Sequence, residues 1–268
     1  MSKIRVCVVG AAGRMGRRLV ALIMASEDLE LSGAIEAPNN PLLGSDAGSV
    51  AGAGESGIRI SDDLAEALKN SDSVINFSTA GVVEAARMSS AAGCSLVIGT
   101  TALPESDRQE LAKIAENTPM VFAPNYSVGV NLLFYLSGIA SKLLADYDIE
   151  IVEMHHNQKK DAPSGTAERL GEVVAAARNW DYNEAVRHGR EGVVGARTAG
   201  EIGMHALRGG DVVGDHTVIF ATGGERVELA HKASSRDNFA KGALRAVRFL
   251  KDASAGRIYD MQDVLGLR

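Results

Sequence analysis

Residues 150–167 concentrate the side chains of this sequence that are most able to do chemistry. The segment holds two of the six histidines, His155 and His156, followed by Lys159 and Lys160. Histidine and lysine can give or take a proton at a reacting centre, and a cation there stabilises developing negative charge. Successive side chains of a strand point to opposite faces, so we expect the two histidines to have different roles. A solvated loop without function is the alternative.

The same segment does not match a metal site. Its adjacent histidines lack the His-x-x-x-His spacing of a helical zinc site, and the sequence contains no Cys-x-x-Cys pair. Both cysteines, Cys7 and Cys94, lie in apolar runs typical of core residues in a reducing cytoplasm. We therefore predict no bound metal.

Ser164, Gly165 and Thr166 follow the histidines and lysines at the predicted start of a helix. The free N–H groups of a helix start and two hydroxyls suit a carboxylate or a phosphate of a substrate. An N-cap with a tight turn is an equally simple interpretation. Together with the cationic residues, the three would form a pocket suited to hydride transfer from a nicotinamide to an acidic small molecule.

A glycine-rich segment near the N-terminus indicates a nucleotide. Residues 10–16 read Gly-Ala-Ala-Gly-Arg-Met-Gly, directly after a predicted strand and at the start of a predicted helix. Glu36 lies 20 residues beyond the last glycine, where a carboxylate can bind ribose hydroxyls. A tight turn without a ligand is the alternative. The predicted cofactor contacts here are Gly10, Ala11, Ala12, Gly13, Arg14, Met15 and Glu36.

Two further loops follow predicted strands. In an open parallel sheet, ligands bind beyond the carboxyl ends of the strands, and backbone carbonyls there could bind a nicotinamide carboxamide. Each loop taken alone is equally well explained as an ordinary turn. The additional predicted cofactor contacts are Gly99, Thr100, Thr101, Ala123, Pro124, Asn125 and Tyr126.

The elements that must position these residues form two patterns. In the first, short apolar runs alternate with helical segments, which predicts a doubly wound parallel sheet of the Rossmann type. The predicted strands are 4–10, 29–36, 73–77, 95–99 and 120–123, and the predicted helices are 13–24, 62–69, 82–92 and 104–117, with a loop over 44–57. We therefore predict a dinucleotide-binding domain over residues 1–126.

The second pattern begins after Tyr126. A long apolar helix over 131–144 and a strand over 148–154 precede a helix near Gly165. Strand candidates at 202–207, 212–221 and 227–231 are separated by glycine-containing turns, which is typical of an antiparallel arrangement. We predict a second, α+β domain over 127–236 with a mixed or antiparallel sheet. The helix predicted at 238–250 could return to the first domain.

Composition excludes several classes of protein. The chain has 268 residues, 46% of them hydrophobic and 23% charged, which is ordinary for a globular protein with a full core. A net charge of −6 argues against a nucleic-acid-binding surface. We find no apolar run near the roughly 20 residues of a membrane span and no signal peptide. The expected location is cytoplasmic, with no membrane partner.

Residues 150–167 have the form E-I-x-E-x-H-x-x-x-K-x-D-x-P-S-G-T-A, which resembles the signature of the 4-hydroxy-tetrahydrodipicolinate reductase (dihydrodipicolinate reductase) family. This family acts in lysine and diaminopimelate synthesis. The resemblance extends over nearly the whole chain, with further landmarks at residues 10–16, 42–46, 99–101, 125–131 and 231–236.

The resemblance implies a role for each matching position. His155 resembles the family's proton donor or acceptor and Lys159 its proton donor. The contacts to the substrate carboxylates correspond to His156, Ser164, Gly165 and Thr166. It also implies a dicarboxylate substrate, a Rossmann domain completed by residues 237–268, a substrate-binding and oligomerisation domain, and a homotetramer.

One position departs from part of the family. Ala37 stands where some members carry an arginine, the residue type that accommodates the extra phosphate of NADP. We therefore expect both NADH and NADPH to be used, with NADH favoured. The alternative functions are those of another two-domain Rossmann oxidoreductase and of a non-catalytic nucleotide sensor. Neither alternative explains the full motif at residues 150–167.

Overall fold

The computed structural model describes residues 2–100 and 103–267. The chain divides into two compact units, Met1–Val128 with Asp237–Arg268, and Gly129–Arg236. Thr101, one of the predicted cofactor contacts, lies outside the described residues. Within the described ranges, no helix combines the length and the apolar character that crossing a membrane requires.

Up to residue 128 the chain alternates strands and helices. The elements are β1 (Ile4–Val9), α1 (Arg14–Met24), β2 (Leu29–Ile35), α2 (Ala47–Ala51), β3 (Ile60–Ser61), α3 (Leu64–Leu68), β4 (Ser73–Asn76), α4 (Val82–Ala91), β5 (Ser95–Ile98), α5 (Glu105–Ala115) and β6 (Met120–Phe122). The predicted loop over 44–57 is wrong in one respect, because it contains α2. Asp46 is the N-cap of that helix, and its carboxylate accepts from the Ser49 N–H.

The next eight elements belong to the second unit, except that Val128, the first residue of the first helix among them, belongs to the first unit. They are α6 (Val128–Leu143), β7 (Asp148–His155), α7 (Gly165–Ala177), α8 (Tyr182–Ala185), β8 (Val186–His188), β9 (Ile202–Arg208), β10 (Gly214–Thr222) and β11 (Glu225–Ala233). The chain then returns to the first unit with α9 (Asp237–Leu250), β12 (Ile258–Tyr259) and α10 (Met261–Val264).

The sheet of the first unit has seven strands in the order β12-β6-β5-β4-β1-β2-β3, and all of its pairings are parallel. Strand β1, next to the central strand β4, shows why the strands are parallel, since both faces of β1 are apolar and buried. Val6 and Val8 join a cluster with α1 and α9, whereas Cys7 and Val9 join a cluster with α3, α4 and α5. The predicted doubly wound parallel fold is confirmed.

Both cysteines are buried in this unit. Burial raises the pKa of Cys7 to about 12, and it also raises the pKa of Cys94. Thiols with raised pKa values are poor nucleophiles and poor metal ligands.

The sheet of the second unit is mixed, with the order β11-β10-β7-β9-β8. The pairs β11–β10 and β10–β7 are antiparallel, but β7–β9 and β9–β8 are parallel. The predicted α+β unit with a mixed sheet is confirmed, but the expected antiparallel arrangement of 202–207, 212–221 and 227–231 is wrong for the first of them, because both pairings of β9 are parallel. β7 is the middle strand, between β9 and β10, and its residues Ile149 and Ile151 are fully buried.

Candidate active site

Strand β7 carries Glu153 and His155 on the same face of the sheet. Its buried positions alternate, with Ile149, Ile151 and Glu153 inside, so His155 follows on the same face. The side chain of Glu153 is 0% exposed, in a position where the pattern of the strand calls for an apolar residue. A buried carboxylate is costly unless donors surround it.

Glu153 has such donors. Arg208, at the end of β9, approaches it with both terminal nitrogens, each 2.9 Å from one carboxylate oxygen. The Ser164 N–H donates to Oε1 at 3.1 Å, and His155 Nδ1 lies 2.6 Å from Oε2. Burial by itself would raise the pKa of Glu153, but the hydrogen bonds from Arg208 and His155 outweigh it and hold the pKa below its usual value. The carboxylate is therefore ionised at neutral pH.

The backbone beyond His155 is tied to the turn between β9 and β10. The Gly209 N–H donates to the His155 carbonyl at 3.0 Å, and the His156 N–H donates to the Val212 carbonyl at 2.7 Å. Lys159 lies in a tight turn directly after β7, since its N–H donates to the His156 carbonyl at 3.1 Å. These bonds position the segment that carries both predicted proton-transfer residues.

Lys159 is held near this segment by an acidic neighbour. Its Nζ donates to Asp161 Oδ2 at 2.7 Å, and the lysine side chain is 19% exposed. The hydrogen bond from Lys159 lowers the pKa of Asp161. Arg208 also donates to the Asp161 carbonyl at 2.7 Å. The structure therefore links Lys159 to the Glu153–His155 pair through Asp161 and Arg208.

The predicted carboxylate contacts lie beside this pair. Ser164 is the N-cap of α7, and its Oγ accepts from the Ala167 N–H at 3.3 Å. Gly165 is exposed, with open space where a Cβ would stand. Thr166 and His156 are half-buried. The structure thus brings the start of α7 and the two predicted proton-transfer residues together within the second unit.

His216 on β10 supports the start of α7. Its Nε2 lies 3.0 Å from Ser164 Oγ, and its ring meets that of His155 edge to face, with the centroids 5.2 Å apart. The side chain is almost fully buried. Burial, with a smaller contribution from the neighbouring His155, lowers the pKa of His216 to about 4. His216 is therefore neutral at physiological pH.

The lowered pKa of His216 predicts acid destabilisation. An unfolded histidine has a pKa near about 6.5 and binds a proton first as the pH falls, which favours the unfolded state. Between pH 7 and pH 5 the protein should lose about 2 kcal/mol of stability through this residue. Urea unfolding at both pH values, compared with His216→Gln, measures the difference. An equal pH dependence in both proteins would contradict the assignment.

In the first unit, the glycine-rich residues form a tight turn between β1 and α1. Gly10 has a φ of +82°, a conformation that favours glycine. A Cβ on Gly16 would lie 2.0 Å from the Gly10 carbonyl oxygen, so only glycine allows this close approach. Gly13 is the N-cap of α1 and makes no side-chain cap. The start of α1 therefore offers backbone N–H groups to an anion.

The remaining residues of this turn have distinct positions. Ala11 and Ala12 are buried, whereas Arg14 is exposed and Met15 half-buried. Glu36 Oε1 accepts from the Ala12 N–H at 2.7 Å, and Asn40 Nδ2 donates to Oε2 at 3.1 Å. The structure thus brings Glu36 to the glycine-rich turn, as its spacing in the sequence predicts.

A cleft of about 610 Å³ opens beside the turn and Glu36. Among the described residues that line it there is no lysine or arginine, while three carboxylates do line it, those of Glu36, Asp62 and Glu84. The loop after β4 also lines the cleft, through Phe77, Ser78, Thr79 and Ala80.

The loops after β5 and β6 contact neighbouring strands. The Gly99 N–H donates to the Asn76 carbonyl at 2.9 Å, and Thr100 Oγ1 donates to the Ser78 carbonyl at 2.6 Å. Tyr126 is buried, and its hydroxyl donates to the Ile98 carbonyl at 2.8 Å and lies 3.1 Å from that of Val121. Of the other predicted contacts, Ala123 is buried, Asn125 half-buried and Pro124 exposed.

Several residues of these sites were not predicted from the sequence. Glu153, Arg208 and His216 surround the predicted His155 and Ser164, and the loop after β4 lines the cleft. Two of them had a detectable signal, because Glu153 and His216 are polar residues at buried positions of alternating strands. Across residues 2–100 and 103–267, no group of three or more His, Cys, Asp or Glu side chains is placed to hold a metal ion.

Comparison with known proteins places the chain in a family. The family model described as "Dihydrodipicolinate reductase, N-terminus" matches residues 4–126, and the model described as "Dihydrodipicolinate reductase, C-terminus" matches residues 129–265. Among solved structures, the chain is similar to dipicolinate-bound dihydrodipicolinate reductase from Paenisporosarcina sp. TG-14. The TM-score is 0.78 at 24% identity, covering 97% of this chain and 98% of that one.

The chain also matches relatives named 4-hydroxy-tetrahydrodipicolinate reductase over nearly their full length. The chain is 48% identical over 270 residues to the 4-hydroxy-tetrahydrodipicolinate reductase of Geotalea daltonii, covering 99% of this chain and 100% of the relative. It is 47% identical over 271 residues to the enzyme of that name from Methanothermobacter thermautotrophicus, covering 98% and 99%. These matches bear out the resemblance of residues 150–167, and the chain belongs to the dihydrodipicolinate reductase family.

Proposed function

We propose that this protein reduces dihydrodipicolinate, formed from 4-hydroxy-tetrahydrodipicolinate by loss of water, to tetrahydrodipicolinate in diaminopimelate and lysine biosynthesis. The observation that carries the proposal is the ionised Glu153 bound to His155, beside Lys159 and the start of α7, in a chain of this family. The reaction consumes one hydride and one proton per ring, and a nicotinamide nucleotide supplies the hydride when bound.

His155 and Lys159 are the proposed proton-transfer residues. Hydride addition to a conjugated cyclic imine leaves electron density on the ring, so a proton must follow. His155 keeps its Nε2 for this transfer, because its Nδ1 is bound to Glu153. The Lys159 ammonium can donate a proton and also stabilise the developing negative charge.

The substrate is a dicarboxylate, and its carboxylates need donors. We assign this role to His156 and to the start of α7, at Ser164, Gly165 and Thr166. Backbone N–H groups at a helix start bind anions through hydrogen bonds and the helix dipole. The open space at Gly165 leaves room for a carboxylate to approach the backbone.

The first unit is the proposed nucleotide-binding unit, and its residues fit such a ligand. The turn at residues 10–16 brings α1 close behind β1, so that the N–H groups of α1 face a pyrophosphate at short range. The loops after β5 and β6 lie at carboxyl ends of parallel strands, where the nicotinamide end would bind. The proposed contacts are Gly10, Ala11, Ala12, Gly13, Arg14, Met15, Glu36, Gly99, Thr100, Thr101, Ala123, Pro124, Asn125 and Tyr126.

NADH is expected to be the better of two usable cofactors. Glu36, Asp62 and Glu84 give the cleft a negative lining that would repel the 2′-phosphate of NADPH. A missing charge-assisted hydrogen bond costs about 1.5–3 kcal/mol, or on the order of 10- to 100-fold in affinity. The exposed side chain of Arg14 would recover part of the lost affinity for NADPH. Side-by-side values of kcat/KM test the expectation, and a tenfold preference for NADPH would refute it.

A homotetramer is the proposed assembly. One face of the second unit's sheet remains open in the isolated chain, and its apolar residues there include Leu207 at 48% exposure and the half-buried Val152 and Ile219. Closed symmetric assemblies bury such faces. Light scattering should give the mass of four chains. In fractionated cells we expect the protein in the cytoplasm and none in the membrane fraction. A monomer mass at micromolar concentrations would rule the tetramer out.

A coupled assay tests the proposed activity. Pyruvate and aspartate semialdehyde are condensed enzymatically to 4-hydroxy-tetrahydrodipicolinate, and the absorbance of NADH or NADPH is followed after this protein is added. We expect the absorbance to fall only when both aldol substrates are present. A constant absorbance with folded protein and verified substrate would refute the reductase function.

A further inference from the structure

Glu153 accepts hydrogen bonds in four directions. Oε1 receives Arg208 Nη2 at 2.9 Å and the Ser164 N–H at 3.1 Å. Oε2 receives Arg208 Nη1 at 2.9 Å and faces His155 Nδ1 at 2.6 Å. An ionised carboxylate offers about four lone-pair sites, so these partners fill its capacity.

The partners of Glu153 decide which nitrogen of His155 carries a hydrogen. Guanidinium and backbone N–H groups only donate, and an ionised carboxylate only accepts. Nδ1 of His155 must therefore be the donor in its bond to Glu153. In the neutral imidazole the second nitrogen, Nε2, then holds the lone pair and is the atom that takes and gives a proton.

The surroundings of Nε2 agree with this assignment. Within the described part of the chain, no hydrogen-bond partner is found for His155 Nε2. Gly214 lies beside it, and a Cβ on that residue would stand 3.0 Å from Nε2. The ring of His216 packs against the imidazole edge to face. The ring is thus held at one nitrogen and open at the other.

We propose that Glu153 is a positioning residue for His155, fixing its Nδ1–H tautomer and ring orientation, and that Arg208 and the Ser164 N–H hold Glu153 in place. The catalytic consequence rests on the proposed function, because it assigns His155 the proton transfer. The tautomer itself is a property of the protein without substrate. Carboxylates that orient a histidine in this way are a recurring arrangement in catalytic and metal sites.

The variant Glu153→Gln tests the proposal with almost no change in shape. The amide nitrogen of the glutamine must replace one of the two carboxylate oxygens. In the place of Oε1 it would face Arg208 and the Ser164 N–H, and in the place of Oε2 it would face Arg208 and His155. All of these groups are donors, as is the amide nitrogen. His155 is the one partner that can change from donor to acceptor, by moving its hydrogen to Nε2. We expect kcat to fall at least about 10-fold, with both KM values within about threefold of wild type.

Glu150→Gln is the matched control. Glu150 lies three residues earlier on β7 and accepts from Arg190, Arg197 and His205, so the substitution also removes an ionised carboxylate from an arginine–histidine cluster. It has no bond to His155 among the described residues. We expect a much smaller effect on kcat than for Glu153→Gln, whatever the change in stability.

The direct readout is the tautomer of His155, measured by long-range ¹H–¹⁵N NMR on ¹⁵N-histidine-labelled protein, with His155→Ala to assign the signals. We expect the Nδ1–H form in wild type and in Glu150→Gln, and the Nε2–H form in Glu153→Gln. An Nε2–H form in wild type, which is measurable even if Glu153→Gln does not fold, would overturn the proposal. So would an unchanged tautomer or an unchanged kcat in folded Glu153→Gln. A wild-type protein inactive on the substrate would refute the function and leave the NMR result valid.

Discussion

Replacing His155 with alanine should lower kcat by about 10²- to 10⁴-fold, and Lys159→Ala should have an effect of similar size. A positioned acid or base contributes this much to a proton transfer. His155 is the residue bound to Glu153, and Lys159 lies in the adjoining turn with its ammonium on Asp161. Neither residue belongs to the nucleotide-binding unit, so the dissociation constant of NADH should stay near the wild-type value.

Lys160→Ala is the matched control for Lys159→Ala. Lys160 is the next residue in the same turn and its side chain is exposed. We expect Lys160→Ala to retain nearly full kcat under the same conditions. If either His155→Ala or Lys159→Ala retained more than about a third of the wild-type kcat, its proposed role would be wrong.

Gly16→Ala should be among the most damaging single methyl additions in the first unit. The new Cβ would lie 2.0 Å from the Gly10 carbonyl oxygen and 2.6 Å from the Ala11 Cα, both of them backbone atoms. Backbone cannot move aside as a flexible side chain can, so α1 or the turn must shift. We expect a loss of about 3 kcal/mol in stability and at least about 10-fold weaker nucleotide binding.

Thermal unfolding and nucleotide titration measure both effects of Gly16→Ala. The control is Gly223→Ala in the turn between β10 and β11, where an added Cβ would have no atom within 4 Å. We expect this control to change stability by no more than about 0.5 kcal/mol. Wild-type stability and affinity in Gly16→Ala would mean that the turn does not depend on this close approach.

The parallel sheet of the first unit could be predicted because the signal for it lies within single strands of the sequence. In β1 four consecutive residues, from Val6 to Val9, are buried, and a run apolar on both faces is typical of a strand covered by helices on both sides. The strand order of the second unit could not be predicted in the same way. β7 and β10 alternate between buried and less buried residues, and this alternation tells which face is buried but not which strand is the neighbour.

The candidate site was predictable where its residues are contiguous. His155, Lys159 and Ser164 lie in one short segment, and their types indicate proton transfer and anion binding. Arg208 and His216 come from other strands and reach the segment only through the pairing of β7 with β9 and of β7 with β10. An arginine at the end of a strand has no distinguishing pattern before that pairing is known.

The proposed reaction transfers a hydride from a nicotinamide nucleotide to the dihydrodipicolinate ring. The most direct measurement uses NADH carrying two deuterium atoms at C4, with enzymatically prepared 4-hydroxy-tetrahydrodipicolinate, and determines the mass of the ring product. We predict tetrahydrodipicolinate that contains one deuterium, with no more than about 1% as much formed by the His155→Ala variant on the same time scale. A ring product without deuterium, or substrate recovered intact while the nucleotide stays reduced, would contradict the claim.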